Sequence, residues 1–246
     1  MKEEQASGKT NLIIGRNPVM EALKSGREIE KLLVAKDAEG SIRKIIGMAK
    51  EKNLPYQFAD KAALDRIADG RAHQGVIAYV STFEYCDVED ILEKARQKGE
   101  DPFLIILDGI EDPHNLGAIM RTADGAGAHG IIIPKRRAAG ITDVVAKASA
   151  GAVEYVPVAK VANIAQTVDK LKELGVWTFA GDMDGTEYDM ADLKGSLALV
   201  VGAEGQGISR LVKEKCDFSV SIPMSGKIGS LNASNAAAIL MYEVRR

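Results

Sequence analysis

Asn115, Arg121, Glu204, Ser230 and Asn232 fall in three short stretches that hold most of the chemistry open to this chain: Asp112–Thr122, Gly202–Gly207 and Ile222–Ser234. In the first, Leu116, Ile119, Met120 and Ala123 have the i, i+3, i+4, i+7 spacing of a buried helical stripe. At about 100° per residue, Arg121 then points roughly 150° from the centre of that stripe. The spacing therefore presents a charged guanidinium outward, near strand ends where open α/β sheets bind ligands. Such a group can hold a phosphate or steady developing negative charge. The same pattern fits a solvated arginine with Asn115 as a simple helix cap. The second stretch follows an apolar strand and carries three glycines in six residues. Glycine there lets the backbone adopt conformations closed to other residues and lets a ligand approach the main chain. Glu204 sits in that turn, where an idle carboxylate tends to cost stability, so a role in orienting neighbouring amides or side chains is favoured. In the third stretch Ser230 or Asn232 can cap the helix that follows. Its small face, Ala236–Ala238, suits close approach by another element or a second subunit.

These residues need a scaffold, and the hydrophobic pattern supplies one in two parts. Residues 1–80 read as a small α/β unit, with helices over Pro18–Lys24, Ser41–Lys52 (Ser41 as N-cap) and Ala62–Ala68. Strands are predicted at Lys31–Lys36, Pro55–Ala59 and Gly75–Val80. Residues 81–102 are acidic, with a helix over Val88–Gln97, and read as a semi-rigid connector. From residue 103 to 246 strands and helices alternate. The strands are Phe103–Leu107, Gly130–Pro134, Tyr155–Val158, Val176–Ala180, Leu197–Val201 and Phe218–Ile222. The helices are Leu116–Gly127, Thr142–Ala150, Ile164–Leu174, Ile208–Lys215 and Ala233–Val244. Near-continuous apolar strands in such an alternation predict a parallel sheet covered on both faces.

Several alternatives fall away. Gly125, Gly127 and Gly130 match a dinucleotide-binding fingerprint, but a helix precedes them and a strand follows, the reverse of what a pyrophosphate site needs. Cys86 and Cys216 are isolated and His73, His114 and His129 lack ligand spacing, so no metal site is expected. Two lone thiols fit a reducing cytoplasm, and Cys216 reads as a small buried hydrophobe. No apolar run reaches the ~18–20 residues of a membrane helix, and Met1–Asn11 has no signal core. The net charge is −3, distributed as +3 over residues 1–80, −4 over 81–102 and −2 over the remainder. That balance permits nucleic-acid binding through local patches without predicting it. Lys135, Arg136 and Arg137 form one such patch, either a solvated loop or a set of phosphate contacts.

In this order and spacing, the three stretches resemble the signature motifs of the SpoU family of RNA 2′-O-methyltransferases. Gly15–Leu23 and Arg71–Gly75 resemble the RNA-binding domain of the bacterial 23S rRNA guanosine enzymes, a domain similar to ribosomal proteins that bind kinked RNA. The resemblance implies an N-terminal RNA-binding domain, a catalytic domain with a deep trefoil knot, and a homodimer in the cytoplasm. It implies S-adenosylmethionine as cofactor, held largely by main-chain groups at Gly202, Ile222 and Leu231 with Met224 nearby. The implied substrate is RNA, most specifically a guanosine ribose of 23S rRNA, with no DNA or membrane partner. A tRNA ribose methyltransferase and a non-catalytic RNA-binding assembly factor are the alternatives. Arg121 matches the arginine often assigned as general base in the family. A guanidinium with a pKa above ~12 is better suited to binding phosphate and steadying an alkoxide. Asn115, Glu204, Ser230 and Asn232 would orient Arg121, the ribose and the loop. One departure is Asn235, where the family usually carries an apolar residue, which bears on local packing or dimer contacts.

Overall fold

The computed structural model describes residues 11–25, 29–36, 40–80, 83–227 and 229–246. Residues 1–10, on which the expectation of no signal core mostly rests, lie outside these, as do residues 81–82 of the expected connector and Ile228 of the third stretch. The chain divides between Glu84 and Tyr85 into two compact units.

The first unit is a four-stranded sheet in the order β1 (Asn11–Ile14), β4 (Val76–Val80), β2 (Ile29–Ala35), β3 (Tyr56–Ala59). Only β2 and β3 run parallel. Side chains alternate across a strand, so Leu32 and Val34 enter one core with α1 (Arg16–Ser25) and α2 (Ser41–Glu51). Leu33 turns to the other face, with Leu64 of α3 (Lys61–Ala68). Gly40, at φ 73°, holds the N-cap position of α2, and Ser41, expected there, is already helical. Strand β1 was not expected; its apolar run is too short to register as a period.

The second unit is a six-stranded sheet, ordered β10 (Phe218–Ser221), β8 (Trp177–Glu187), β9 (Leu197–Gly202), β5 (Phe103–Asp108), β6 (Gly130–Pro134), β7 (Val158–Val161). Every neighbouring pair is parallel, as the alternation predicts. Leu104, Ile106, Ile132, Ala198 and Val200 form one core with α4 (Val88–Lys98), α7 (Ile164–Glu173) and α8 (Arg210–Lys215). On the opposite face α5 (Pro113–Gly125) packs with α6 (Asp143–Ala148) and with α9 (Ala233–Val244), which lies on β9.

The structure departs from the sequence pattern at two elements. The segment read as a connector is part of the second unit from Tyr85 onward. Ile91 and Ala95 of α4 are fully buried, Cys86 bridges to Ala159, and a side chain on Gly130 would meet Ile91 at 2.6 Å. Acidic residues on the solvent face of α4 masked this apolar stripe. The strand expected at Tyr155–Val158 begins only at Val158. Ala152–Glu154 form a 3₁₀ turn and Tyr155 is exposed, while Pro157, which has no N–H to donate, offers its carbonyl to Ile131. The glycine fingerprint is structural throughout: α5 ends at Gly125, Gly127 takes φ 67° in the turn, and Gly130 opens β6.

Candidate functional site

The β5–α5 turn, the β9–α8 loop and the segment between β10 and α9 all lie at carboxyl ends of the parallel sheet, and they carry the three stretches. Asp112 caps α5, its Oδ1 accepting from the N–H of His114 at 2.9 Å, with Pro113 as the first helical residue. Asn115 is therefore released from capping. Its side chain is almost fully buried, and Nδ2 donates to Glu204 Oε1 at 2.9 Å. Asn232 reaches the same point from α9: its Nδ2 donates to Asn115 Oδ1 at 2.9 Å and also to Glu204 Oε1. The Ala233 N–H adds a longer bond to that oxygen, at 3.3 Å. One carboxylate oxygen thus gathers donors from two side chains and a helix N-terminus, and residues 115, 204 and 232 form a closed junction. Asn232 Oδ1, meanwhile, caps α9 by accepting from the N–H groups of Ser234 and Asn235.

The loop that carries Glu204 closes on itself. Ala203 and Gly207 exchange backbone hydrogen bonds of 2.8 and 3.2 Å, and Gly205 and Gly207 take φ 77° and 66°. A side chain on Gly202 would lie 2.1 Å from the Gly207 carbonyl carbon and 2.2 Å from the Ile208 nitrogen. Gly202 is therefore required by the loop's own backbone, a tighter constraint than the ligand approach expected from sequence. Glu204 is exposed, so its stabilisation comes from the bonds it accepts, not from burial.

The remaining expected site residues stand apart from this junction. Ser230 is exposed and, among the described residues, has no hydrogen-bond partner. Arg121 is exposed too, with no ion pair or hydrogen bond among the described residues. Leu116, Ile119, Met120 and Ala123 beneath it are buried, as their spacing predicts. Arg121 does not lie at the strand ends. Six residues beyond Asn115, it is about 9 Å further along α5 and roughly 120° around it, because the helix runs back from the strand ends. Ile222 and Leu231 are half-buried and Met224 is exposed. Among the described residues from Ile222 to Leu231, no main-chain group bonds to another part of the backbone. Apart from Pro223, which has no N–H, each of them keeps an N–H and a carbonyl unbonded to other backbone.

The first unit contains a second polar site that sequence reasoning left undeveloped. A cavity of about 730 Å³ is lined by Arg16, Lys61, Asp65, Arg71 and His73. Arg16 Nε donates to the Gln74 carbonyl at 2.8 Å and Arg71 Nε to the Ala68 carbonyl at 3.0 Å. Both guanidinium ends are thereby aimed without being consumed. His73 accepts from the Gly75 N–H on Nδ1 at 2.9 Å, so its Nε2 carries the proton and donates to Asp65 at 2.9 Å. The signal was present in Gly15–Arg16 and Arg71–Gly75, but only folding joins them. Among the described residues no cluster of His, Cys, Asp and Glu could hold a metal, and burial pushes the Cys216 thiol up to about 11, which suits packing rather than nucleophilic attack.

Residues 102–242 match the SpoU rRNA Methylase family, and residues 12–86 match the domain described as RNA 2′-O ribose methyltransferase substrate binding. Bacillus subtilis YacO, named as a candidate TrmH family tRNA/rRNA methyltransferase, is 51% identical over 237 residues, covering 95% of this chain and 94% of its own. The SpoU methyltransferase AviRb of Streptomyces viridochromogenes, solved with AdoMet, superposes with a TM-score of 0.60 at 25% identity, over 95% of this chain and 88% of that one. The A. aeolicus TrmH/SpoU tRNA modifying enzyme gives 0.54 at 29% identity, over 64% of this chain and 82% of that one.

Proposed function

We propose, for a chain that belongs to the SpoU rRNA Methylase family, that it methylates a ribose 2′-hydroxyl of RNA with S-adenosylmethionine as donor, most specifically a guanosine of 23S rRNA. The observation that carries this reading is the junction of Asn115, Glu204 and Asn232, which ties the three stretches into one polar site at the sheet's carboxyl edge. The donor supplies an electrophilic methyl group on a sulfonium. The chain's own residues suit it: the main-chain groups of Ile222 and Leu231, unbonded to other backbone among the described residues, and the exposed Met224 would offer a largely main-chain grip.

The junction then acts as a positioning device. It fixes the loop that begins at Gly202 against the start of α9, so that donor and hydroxyl can be held in a near-attack arrangement, worth several kcal/mol. Ser230, with its hydroxyl unbonded, is available to the ribose. Arg121 is assigned to the RNA phosphate and the developing alkoxide, as a donor worth about 10²–10³ in rate once bound RNA orders it. Its outward, unpaired guanidinium fits a site completed by RNA or by a second copy. A homodimer through the α5 and α9 side of the sheet, and the trefoil knot of the family, belong to this reading. So does a cytoplasmic setting.

The rRNA reading is favoured over tRNA because the likeness to the A. aeolicus tRNA enzyme covers only 64% of this chain, whereas a distinct substrate-binding match occupies residues 12–86. The basic cavity on that unit would grip RNA phosphates. Mapping 2′-O-methyl groups in rRNA and tRNA from cells with and without the protein tests the substrate; loss of a methyl in tRNA alone would overturn the rRNA assignment. Arg121→Ala and Arg121→Lys test the mechanism. Cofactor binding by calorimetry should persist while methyl transfer falls about 10²–10³-fold in the alanine variant. Near-normal turnover in both variants would remove Arg121 from the reaction.

A further inference from the structure

The Lys135–Arg137 patch has no role in the junction, yet two of its arginines line a cavity of about 370 Å³ in the second unit. That volume is in the range of small-molecule sites, about 300–1,000 Å³. The cavity opens at the carboxyl ends of β5, β6, β7 and β9. Ala203, beside Glu204, forms part of its wall, and Glu111 enters it from the turn that leads to Asn115. The cavity and the junction are thus built on the same two loops.

Its chemistry is divided. Pro134 and the exposed Leu211 give an apolar wall. Arg136 and Arg137 are exposed and have no partner among the described residues, and Arg137 is held at φ 55°, a left-handed conformation uncommon for a non-glycine residue. Glu111 and Gln206 are likewise exposed and unpartnered among the described residues. Asp108 differs, since its Oδ2 accepts from the Ser209 N–H at 2.8 Å, and so is already committed to the fold. Apolar lining, unpaired hydrogen-bonding groups and a pair of cations match what one nucleotide presents: an apolar ring face, a polar base edge and phosphate.

We infer that this cavity seats the nucleotide whose ribose is methylated, lifted out of its stack, with two phosphates of the strand leading to it on Arg136 and Arg137. The base lies against Pro134 and Leu211, and its edge meets Glu111 and Gln206. Enzymes that do chemistry on a base extrude it into such a pocket and read its edge there, and the same seating would present the attached ribose. A glutamate accepts two bonds at once only from a base with adjacent N–H donors, and guanine alone offers that pair. The inference rests on the reading of the chain as an RNA ribose methyltransferase.

The test uses the full-length protein, labelled S-adenosylmethionine, and ribosomal RNA stripped from cells that lack the protein. Arg136→Ala is combined with Arg137→Gly, because glycine accepts the positive φ. KM for RNA should rise at least about tenfold with cofactor affinity unchanged. The slope of log KM against log salt should fall by about 1.4, at roughly 0.7 per single-strand phosphate contact. Lysine at both positions should restore most of the loss. Gln206→Ala and Leu211→Glu should each raise KM at an unchanged melting temperature, and Glu111→Gln should weaken the preference for guanosine. If the wild type methylates this RNA and the arginine pair leaves KM and slope unchanged, the inference fails while the reading of the enzyme stands. If the slope falls but Gln206→Ala and Leu211→Glu change nothing, the cavity is no nucleotide seat, only a rim that touches the backbone. If the wild type methylates no RNA, the reading fails and takes the inference with it.

Discussion

Replacing Asn232 by aspartate separates its two tasks. The Oδ1 atom caps α9 by accepting from Ser234 and Asn235, while Nδ2 donates to Asn115 and to Glu204. Asn232→Ala removes both. The lost cap costs about 1 kcal/mol, and two lost bonds add roughly 0.5–1.5 kcal/mol each. Asn232→Asp keeps a capping oxygen of equal quality but sets a second carboxylate against Glu204. Both groups are exposed, so screening holds the repulsion near the water limit, about 1–2 kcal/mol. At about pH 8 the two variants should therefore be similarly destabilised, by about 2–4 kcal/mol, which lowers the melting temperature by roughly 4–15 °C in a unit of this size. They should part on acidification. In the aspartate variant the new carboxylate pair shares a site, so its upper pKa in the folded protein is raised above the unfolded value. The folded state then binds more protons than the unfolded state in that window, and stability recovers as pH falls through the raised pKa. Thermal melts of wild type and both variants, from about pH 8 to about pH 5.5, read this directly. An aspartate variant that melts with the wild type at high pH, or a deficit that does not shrink on acidification, would refute the junction as drawn.

Three further outcomes follow from the same geometry. Gly202→Ala should open the β9–α8 loop, since its Cβ cannot sit 2.1 Å from the Gly207 carbonyl carbon; calorimetry should show cofactor binding weakened more than tenfold with the rest of the fold intact. Burial lowers the pKa of His129, which accepts from the Phe103 N–H on Nδ1 at 3.0 Å and meets Glu100 through Nε2. Its folded pKa lies below the unfolded one, so it should make the wild type lose stability as pH falls below about 6.5. His129→Gln should flatten that part of the profile. In the first unit, Arg16→Ala with Arg71→Ala should weaken RNA binding and reduce its salt slope by about 1.4 for single-stranded contacts, as read by filter binding across a salt series. An unchanged slope would free both arginines from phosphate contact.

The parallel sheet was readable because its strands are buried on both faces and so appear as unbroken apolar runs, Phe103–Leu107 and Leu197–Val201 above all. Where burial is one-sided or polar, legibility drops. The last half of β8, Gly181–Glu187, carries three acidic residues and is held in the sheet by a shifted register against β10. Local pattern cannot report a tertiary register. The boundary between units was obscured by the acidic face of α4, although Ile91 and Ala95 kept helical spacing. Asn115, Glu204 and Asn232 could be singled out from three motifs, but their convergence on one oxygen depends on how strands 89 and 117 residues away in sequence are ordered. The basic cavity of the first unit, split between Arg16 and Arg71, was hidden for the same reason.

The junction also explains why a capping residue, a turn acid and a buried amide are combined in one place. A loop with three glycines in six residues has a large conformational entropy to lose on closure. The backbone bonds between Ala203 and Gly207 close its neck, but they leave its outer turn attached to nothing else. Glu204 supplies that attachment at the tip, and it binds there to two asparagines already immobilised, one buried in α5 and one fixed as the cap of α9. Because neither asparagine has to be ordered anew, most of the bonding free energy goes into holding the loop. The arrangement also makes position at this edge depend on both helices at once. A displacement of α9 relative to α5 must stretch the bonds of Asn232 to Asn115 and Glu204 together, so contacts made elsewhere on either helix, by RNA or by a second copy, can be felt at the loop that starts at Gly202.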